Sequence, residues 1–127
     1  MHSMAMEFSV DFAVLEHLRG YPDDLHRYAN LMKQAHPRGQ SAVAFLLGRP
    51  GSGDFVETVC RYVRDGVAII TAVAAAEAAG LPPRDFLDRV ASREDFPAPL
   101  WRRDHRALWR RDEVAAYLRA WKERASS

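Results

Sequence analysis

An apolar run, Val67–Ala79, stopped abruptly by Gly80-Leu81-Pro82-Pro83, constrains this chain more than any other feature. It is the most apolar stretch present, yet at about thirteen residues it falls short of the roughly 20 that cross a bilayer. No membrane helix is expected. Its central part, "AIITAVAAAEAAG", is rich in alanine, which loses no side-chain entropy in a helix. The closing glycine supplies the left-handed residue that ends many helices. Pro83 then suits the first turn of a second helix, where a missing N–H costs nothing. Phe86, Leu87 and Val90 give that helix an apolar side. The spacing predicts two helices joined by a short turn.

The residues beyond change period. "PLWRRDHRALWRR" reads as two short strands, with Leu100, Trp101, Leu108 and Trp109 apolar and a turn around Arg103–His105. "RRDEVAAYLRAWKERA" is an amphipathic helix with Val114, Tyr117, Leu118 and Trp121 at i, i+3, i+4 and i+7, and with Asp112 and Glu113 in its first turn. Earlier in the chain, "DFAVLEHLRG" carries a stripe of Phe12, Val14, Leu15 and Leu18 that stops at Gly20. "PDDLHRYANLMKQAH" starts a helix at Pro22, repeats apolar residues at Leu25, Tyr28, Ala29, Leu31 and Met32, and ends at Pro37 and Gly39. "SAVAFLLG" is a third short helix or a buried turn. After the loop "GRPGSGD", Ser52 or Asp54 caps a helix that runs through Arg64. The expected fold class is mainly α: an N-terminal helical region, 1–66, then a region, 67–127, of helix, turn, helix, two-stranded β-hairpin and helix.

Composition narrows the chemistry. Apolar residues make up 48% and charged residues 28%, which is ordinary for a globular chain and argues against global disorder. A net charge of +1 conceals an asymmetry: residues 1–66 sum to −1 and residues 81–127 to +3. Most of that excess comes from Arg102, Arg103, Arg106, Arg110 and Arg111, opposed only by Asp104 within the cluster. A guanidinium presents a flat fork of donors that suits phosphate oxygens and guanine edges. A single cysteine, Cys60, excludes an internal disulfide and a cysteine-based zinc cluster, and its setting in "FVETVCRYV" reads as a buried structural thiol. His17, His26 and His36 form no i, i+4 pair. "GRPGSGDF" has the glycines of a phosphate-binding loop, but Asp54 stands where the lysine is needed and Phe55 where a hydroxyl would hold magnesium. It reads as a loop and helix cap. No serine or cysteine has a credible base partner, so neither an enzyme nor a cofactor or metal site is expected. "MHSMAMEFSV" has no basic segment leading into an apolar core, and a cytoplasmic protein is expected.

Three pieces of the second half occur in a familiar order. Ile69-Ile70-Thr71 precedes the alanine-rich stretch with Glu77 and Gly80; Phe96-Pro97-Ala98-Pro99 follows the second helix; and Trp109-Arg110-Arg111-Asp112-Glu113-Val114-Ala115-Ala116-Tyr117-Leu118 opens the last. With these motifs, 67–124 resembles the winged helix-turn-helix of the excisionase and MerR-like group of phage and prophage regulators. The resemblance covers just under half of the chain. It implies that double-stranded DNA is the partner, with a recognition helix over 83–91 and a wing over 101–110.

The DNA-contacting residues so implied are Arg84, Asp88, Arg89 and Arg93 around the helix, with Arg102, Arg103, His105, Arg106, Arg110 and Arg111 on and beyond the wing. Trp101 and Trp109 sit on the strands, as core rather than base-stacking groups. The chain departs from the family where Pro82 replaces the usual serine or threonine cap, where Asp85 and Asp88 replace commoner threonine and basic residues, and in one additional residue before Phe96. Carboxylates repel phosphate, although they can accept a hydrogen bond from the cytosine amino group. Two functions stay open on these residues: a DNA-binding transcriptional regulator or recombination directionality factor, and a protein-binding adaptor or phage packaging or assembly subunit. The stripes of the first half suggest packing or a homodimer, which would multiply the few base contacts of one small module.

Overall fold

The computed structural model describes residues 2–126, with side chains from 8 to 125. Most of the N-terminal stretch read for a leader therefore lies outside the described side chains. The chain divides into two compact units, Met1–Val67 and Ala68–Ser127. Among the described residues there are seven α-helices and three short strands.

The first unit is helical throughout: α1 His2–His17, α2 Pro22–Ala35 followed by a 3₁₀ turn His36–Arg38, α3 Ala42–Leu47 and α4 Phe55–Arg64. Pro22 occupies the first turn of α2, with Asp23 and Asp24 beside it. The 3₁₀ turn ends at Gly39, whose φ of 74° lies in the left-handed region. Ser41 caps α3 by accepting from the Ala44 N–H at 3.0 Å, which decides between helix and turn for that segment. Asp54, not Ser52, caps α4 by accepting from the Glu57 N–H at 2.9 Å. The buried core takes Val14, Leu18, Tyr28, Leu31, Ala35, Val43, Leu46, Phe55, Val56, Val59 and Cys60.

Helix α1 departs from the sequence expectation in two ways. It begins well before Asp11, because residues 2–10 contain no proline or glycine to stop it. Its buried face is Asp11, Val14 and Leu18, while Phe12 is 66% exposed. The stripe is thus rotated by about one residue from the apolar one, and a carboxylate takes a core position.

In the second unit, β1 Ile69–Thr71 leads into α5 Ala72–Ala79, then α6 Pro83–Arg89, the hairpin β2 Trp101–Arg103 and β3 Arg106–Arg110, and α7 Arg111–Ser126. Thr71 caps α5, accepting from the Ala74 N–H at 3.2 Å. Gly80, at φ 72°, ends it. The Leu81 N–H reaches back to the Ala76 carbonyl and the Gly80 N–H to that of Glu77, the paired closure that needs a left-handed residue. Ala72, Ala75, Ala76 and Ala79 all face inward, and their small side chains let neighbouring elements approach α5 closely.

The hairpin is not two-stranded on its own, as the sequence suggested. β3 is the centre of an antiparallel sheet ordered β1-β3-β2, with Ile70 opposite Trp109 and Arg102 opposite Ala107. Three residues before α5 are too few to show a period of two, so this pairing left no local signal. The core of the unit is an aromatic cluster. Phe96 meets Phe86, Trp109 and Tyr117 edge-on, with centroids 5.7, 5.5 and 4.9 Å away. Such edge-to-face pairs contribute about 0.5–1.5 kcal/mol each beyond their burial. Val114 and Leu118 of α7 close the cluster.

Candidate functional site

The sheet fixes where the arginine cluster goes. Residues paired across strands share a face, and faces alternate along each strand. Trp101, Arg103, Arg106, Leu108 and Arg110 therefore lie on one face, and Arg102, Ala107 and Trp109 on the other. Trp109 is 1% exposed and belongs to the core; Trp101 is half-buried, with the Arg103 guanidinium 5.5 Å from its ring centroid. Asp104 and His105 form the two-residue tip, and Asp104 takes the positive φ, 56°, that a tight hairpin requires at its first central residue.

Arg102, Arg103 and His105 are exposed at this tip, and Arg106 is half-exposed. Arg103 stands directly opposite Arg106 in the register. Two like charges at that separation destabilise a sheet rather than support it. Arg106 Nη1 lies 3.4 Å from His105 Nε2, and Arg102 Nε donates to the Asp104 carbonyl at 3.4 Å. Several donors thus converge on a short turn with one opposing carboxylate.

Arg110 and Arg111 are also exposed, but they stand at the far end of β3, about 13 Å along the strand from Arg106 at the usual rise per residue. Arg110 pairs with Ile69, and the Arg111 N–H donates to the Ala68 carbonyl at 3.0 Å. Arg111 opens α7, where the helix dipole does not favour a cation.

On α6, Phe86 and Leu87 point into the core while Arg84, Asp85, Asp88 and Arg89 are exposed. Arg93 lies outside that face. Its Nε is 3.5 Å from an Asp95 oxygen that also accepts from the Tyr117 hydroxyl at 2.8 Å. The Tyr117 bond, helped by Arg93, holds the Asp95 carboxyl below the usual carboxylate range. Arg93 also lines, with Trp121, Arg124 and Ala125, a shallow cavity of about 310 Å³.

The first unit holds two polar sites, the first built on Asp11, which the sequence reading did not single out. The Asp11 carboxylate accepts from the Tyr28 hydroxyl, from the Ala42 N–H at 3.0 and 3.2 Å, and meets His36 Nε2 at 2.9 Å. Burial, and next the bond to Asp11, push the Tyr28 hydroxyl far above its ordinary range, so it stays a donor. Burial likewise pushes the Cys60 thiol up to about 12. This is a structural knot, not an activated nucleophile.

The second is the loop before α4. The Glu57 carboxylate accepts from the Ser52 N–H at 2.7 Å and the Gly53 N–H at 3.4 Å, and pairs with Arg61 at 2.9 Å. The backbone bond from Ser52 is the main reason its carboxyl lies below the ordinary range. The donors that a phosphate would require are thus occupied by the protein's own carboxylate. A Cβ at Gly51 would run into Glu57 Oε1, so a larger residue there would have to displace the carboxylate from these bonds. Among the described residues no cluster of histidine, cysteine and carboxylates could hold a metal, and no helix is long and apolar enough to cross a membrane. No protein-family model, curated protein or solved structure matches the chain.

Proposed function

We propose that the 68–127 unit is a winged helix-turn-helix that binds double-stranded DNA, and that the protein acts as a transcriptional regulator or recombination directionality factor. The observation that carries this reading is the exposed hairpin tip, where Arg103 faces Arg106 across the strands, His105 stands at the turn and Arg102 lies on the opposite face of the same short ribbon. An arrangement that costs the sheet stability is offset when a polyanion lies against it. The helix α5, the turn at Gly80 and the helix α6 supply a second element for a groove, and the wing supplies backbone contacts next to it. The resemblance to excisionase and MerR-like regulators supports the same assignment, since Thr71, Gly80, Phe96, Trp109 and Leu118 serve as cap, helix end and core. A homodimer, with paired half-sites, would compensate for the small contact area of one module.

The balanced charge of α6, two arginines with two aspartates, favours a second reading in which the module is an adaptor that binds protein. Fluorescence anisotropy with random duplex DNA at two salt concentrations separates the two. Binding that weakens with salt, and an Arg102→Ala/Arg106→Ala variant with a salt slope lower by about two units, are the expected results. A folded protein that binds no duplex at low salt would overturn the DNA reading in favour of the adaptor.

A further inference from the structure

The exposed side of α6 carries an ordered pattern of charge. At about 100° per residue, Arg84, Asp88, Asp85 and Arg89 follow one another around an arc of about 140°. The remaining arc holds Phe86, Val90 and Leu87, all buried, with only Pro83 of the first turn exposed there. Reading across the exposed face, the order is therefore guanidinium, carboxylate, carboxylate, guanidinium, with both carboxylates central. Arg84 and Asp88 stand four apart, as do Asp85 and Arg89, the spacing at which helical ion pairs form. Neither pair closes, and none of the four side chains has a polar partner among the described residues.

The helix beneath is held firmly. Phe86 lies edge-on to Phe96 and Trp109, at 5.7 and 6.1 Å, and Pro82 and Pro83 fix its first turn. The helix is thus presented in a set orientation, and with it the order of charge across its exposed face.

We propose that this face reads cytosine: Asp85 and Asp88 accept from the amino groups of cytosines in the major groove, while Arg84 and Arg89 hold the groove walls on either side. The proposal rests on the DNA-binding reading above. In a helix laid along a groove, the edges of the exposed arc meet the phosphate backbones and its centre meets the base edges. Arginines belong at the edges, where they meet phosphate. A carboxylate at the centre is repelled by every acceptor on the floor and needs an amino donor. Cytosine offers its N4 amino group there without a neighbouring acceptor of its own, whereas the adenine amino group lies beside N7. Because the four charges cancel, α6 adds discrimination and little generic affinity, and the wing arginines supply the latter.

The test is selection from a randomised duplex pool with the full-length protein, followed by affinity measurements on the enriched duplex. The bound pool should be enriched in C·G pairs. Replacing an enriched C·G pair by T·A should weaken binding at least about fivefold, the low end for a good base contact. Asp88→Ala should erase that difference at one position while tightening binding to random duplex, because a charge of the wrong sign has been removed; Asp85→Ala should do the same at a second position. Salt-dependent binding without C·G enrichment, or aspartate variants that keep the parent preference, would overturn this inference and leave the DNA-binding reading standing. Failure to bind any duplex would overturn both.

Discussion

Asp11→Ala is the most informative perturbation of the first unit. The Asp11 side chain is 1% exposed and joins α1 to α2, to the 3₁₀ turn and to the start of α3 through Tyr28, His36 and Ala42. Truncation strands two buried donors, the Tyr28 hydroxyl and the Ala42 N–H, both on residues with no exposed surface. Each stranded donor costs about 1–3 kcal/mol. His36 is half-exposed and can turn to water, so it adds little. The sum is about 2–6 kcal/mol against a total stability on the order of 5–15 kcal/mol. With a urea m-value near 1 kcal/mol/M for so small a unit, the midpoint should fall by about 2 M or more. Urea titration followed by far-UV circular dichroism measures this directly. Tyr28→Phe in the Asp11→Ala background removes one stranded donor and should recover part of the loss, so the double-mutant cycle should show clear coupling. A loss below about 1 kcal/mol, or strict additivity in that cycle, would refute the reasoning.

Three further outcomes follow from the same structure. Glu57 and Asp54 both have carboxyls held below their ordinary range, Glu57 chiefly by the Ser52 N–H, and Asp54 by the Glu57 N–H and Arg27, which together outweigh its burial. Their contribution is therefore complete above the ordinary carboxyl range and disappears as pH falls through the lower folded values; Glu57→Gln should flatten the acid limb of a plot of Tm against pH. Cys60, buried and with its thiol pushed up to about 12, should stay unreactive to a thiol reagent at neutral pH and react completely once the protein is denatured. Trp109→Ala removes the 1%-exposed ring that meets both Phe86 and Phe96, and should cost about 3–5 kcal/mol in chemical denaturation, whereas Trp101→Ala should cost far less.

Much of the candidate site was legible because its signals are local. The turn between Trp101 and Trp109, the exposed arginines on it, and the start and stop of α6 all follow from residues within a few positions of each other. Arg93, Arg110 and Arg111 show the limit. Asp95, itself held by the Tyr117 hydroxyl of a distant helix, engages the first, and the length of β3 carries the other two away from the tip.

The sequence by itself determined where helices end and which segments turn, since glycine, proline and capping side chains act on their own backbone. Gly80 with Pro82 and Pro83, Pro22 with Asp23, and Asp54 all behave as their residue types dictate. It also determined most of the inward faces of α4 and α7, because an apolar repeat at 3.6 residues has one way to be buried. The third strand was decided by tertiary structure, since Ile69–Thr71 pairs with residues nearly forty positions later. So was the rotation of α1 that buries Asp11 and exposes Phe12. A carboxylate becomes acceptable in a core only when donors converge on it, and those donors come from α2, the 3₁₀ turn and the α3 backbone, which meet only in the folded chain.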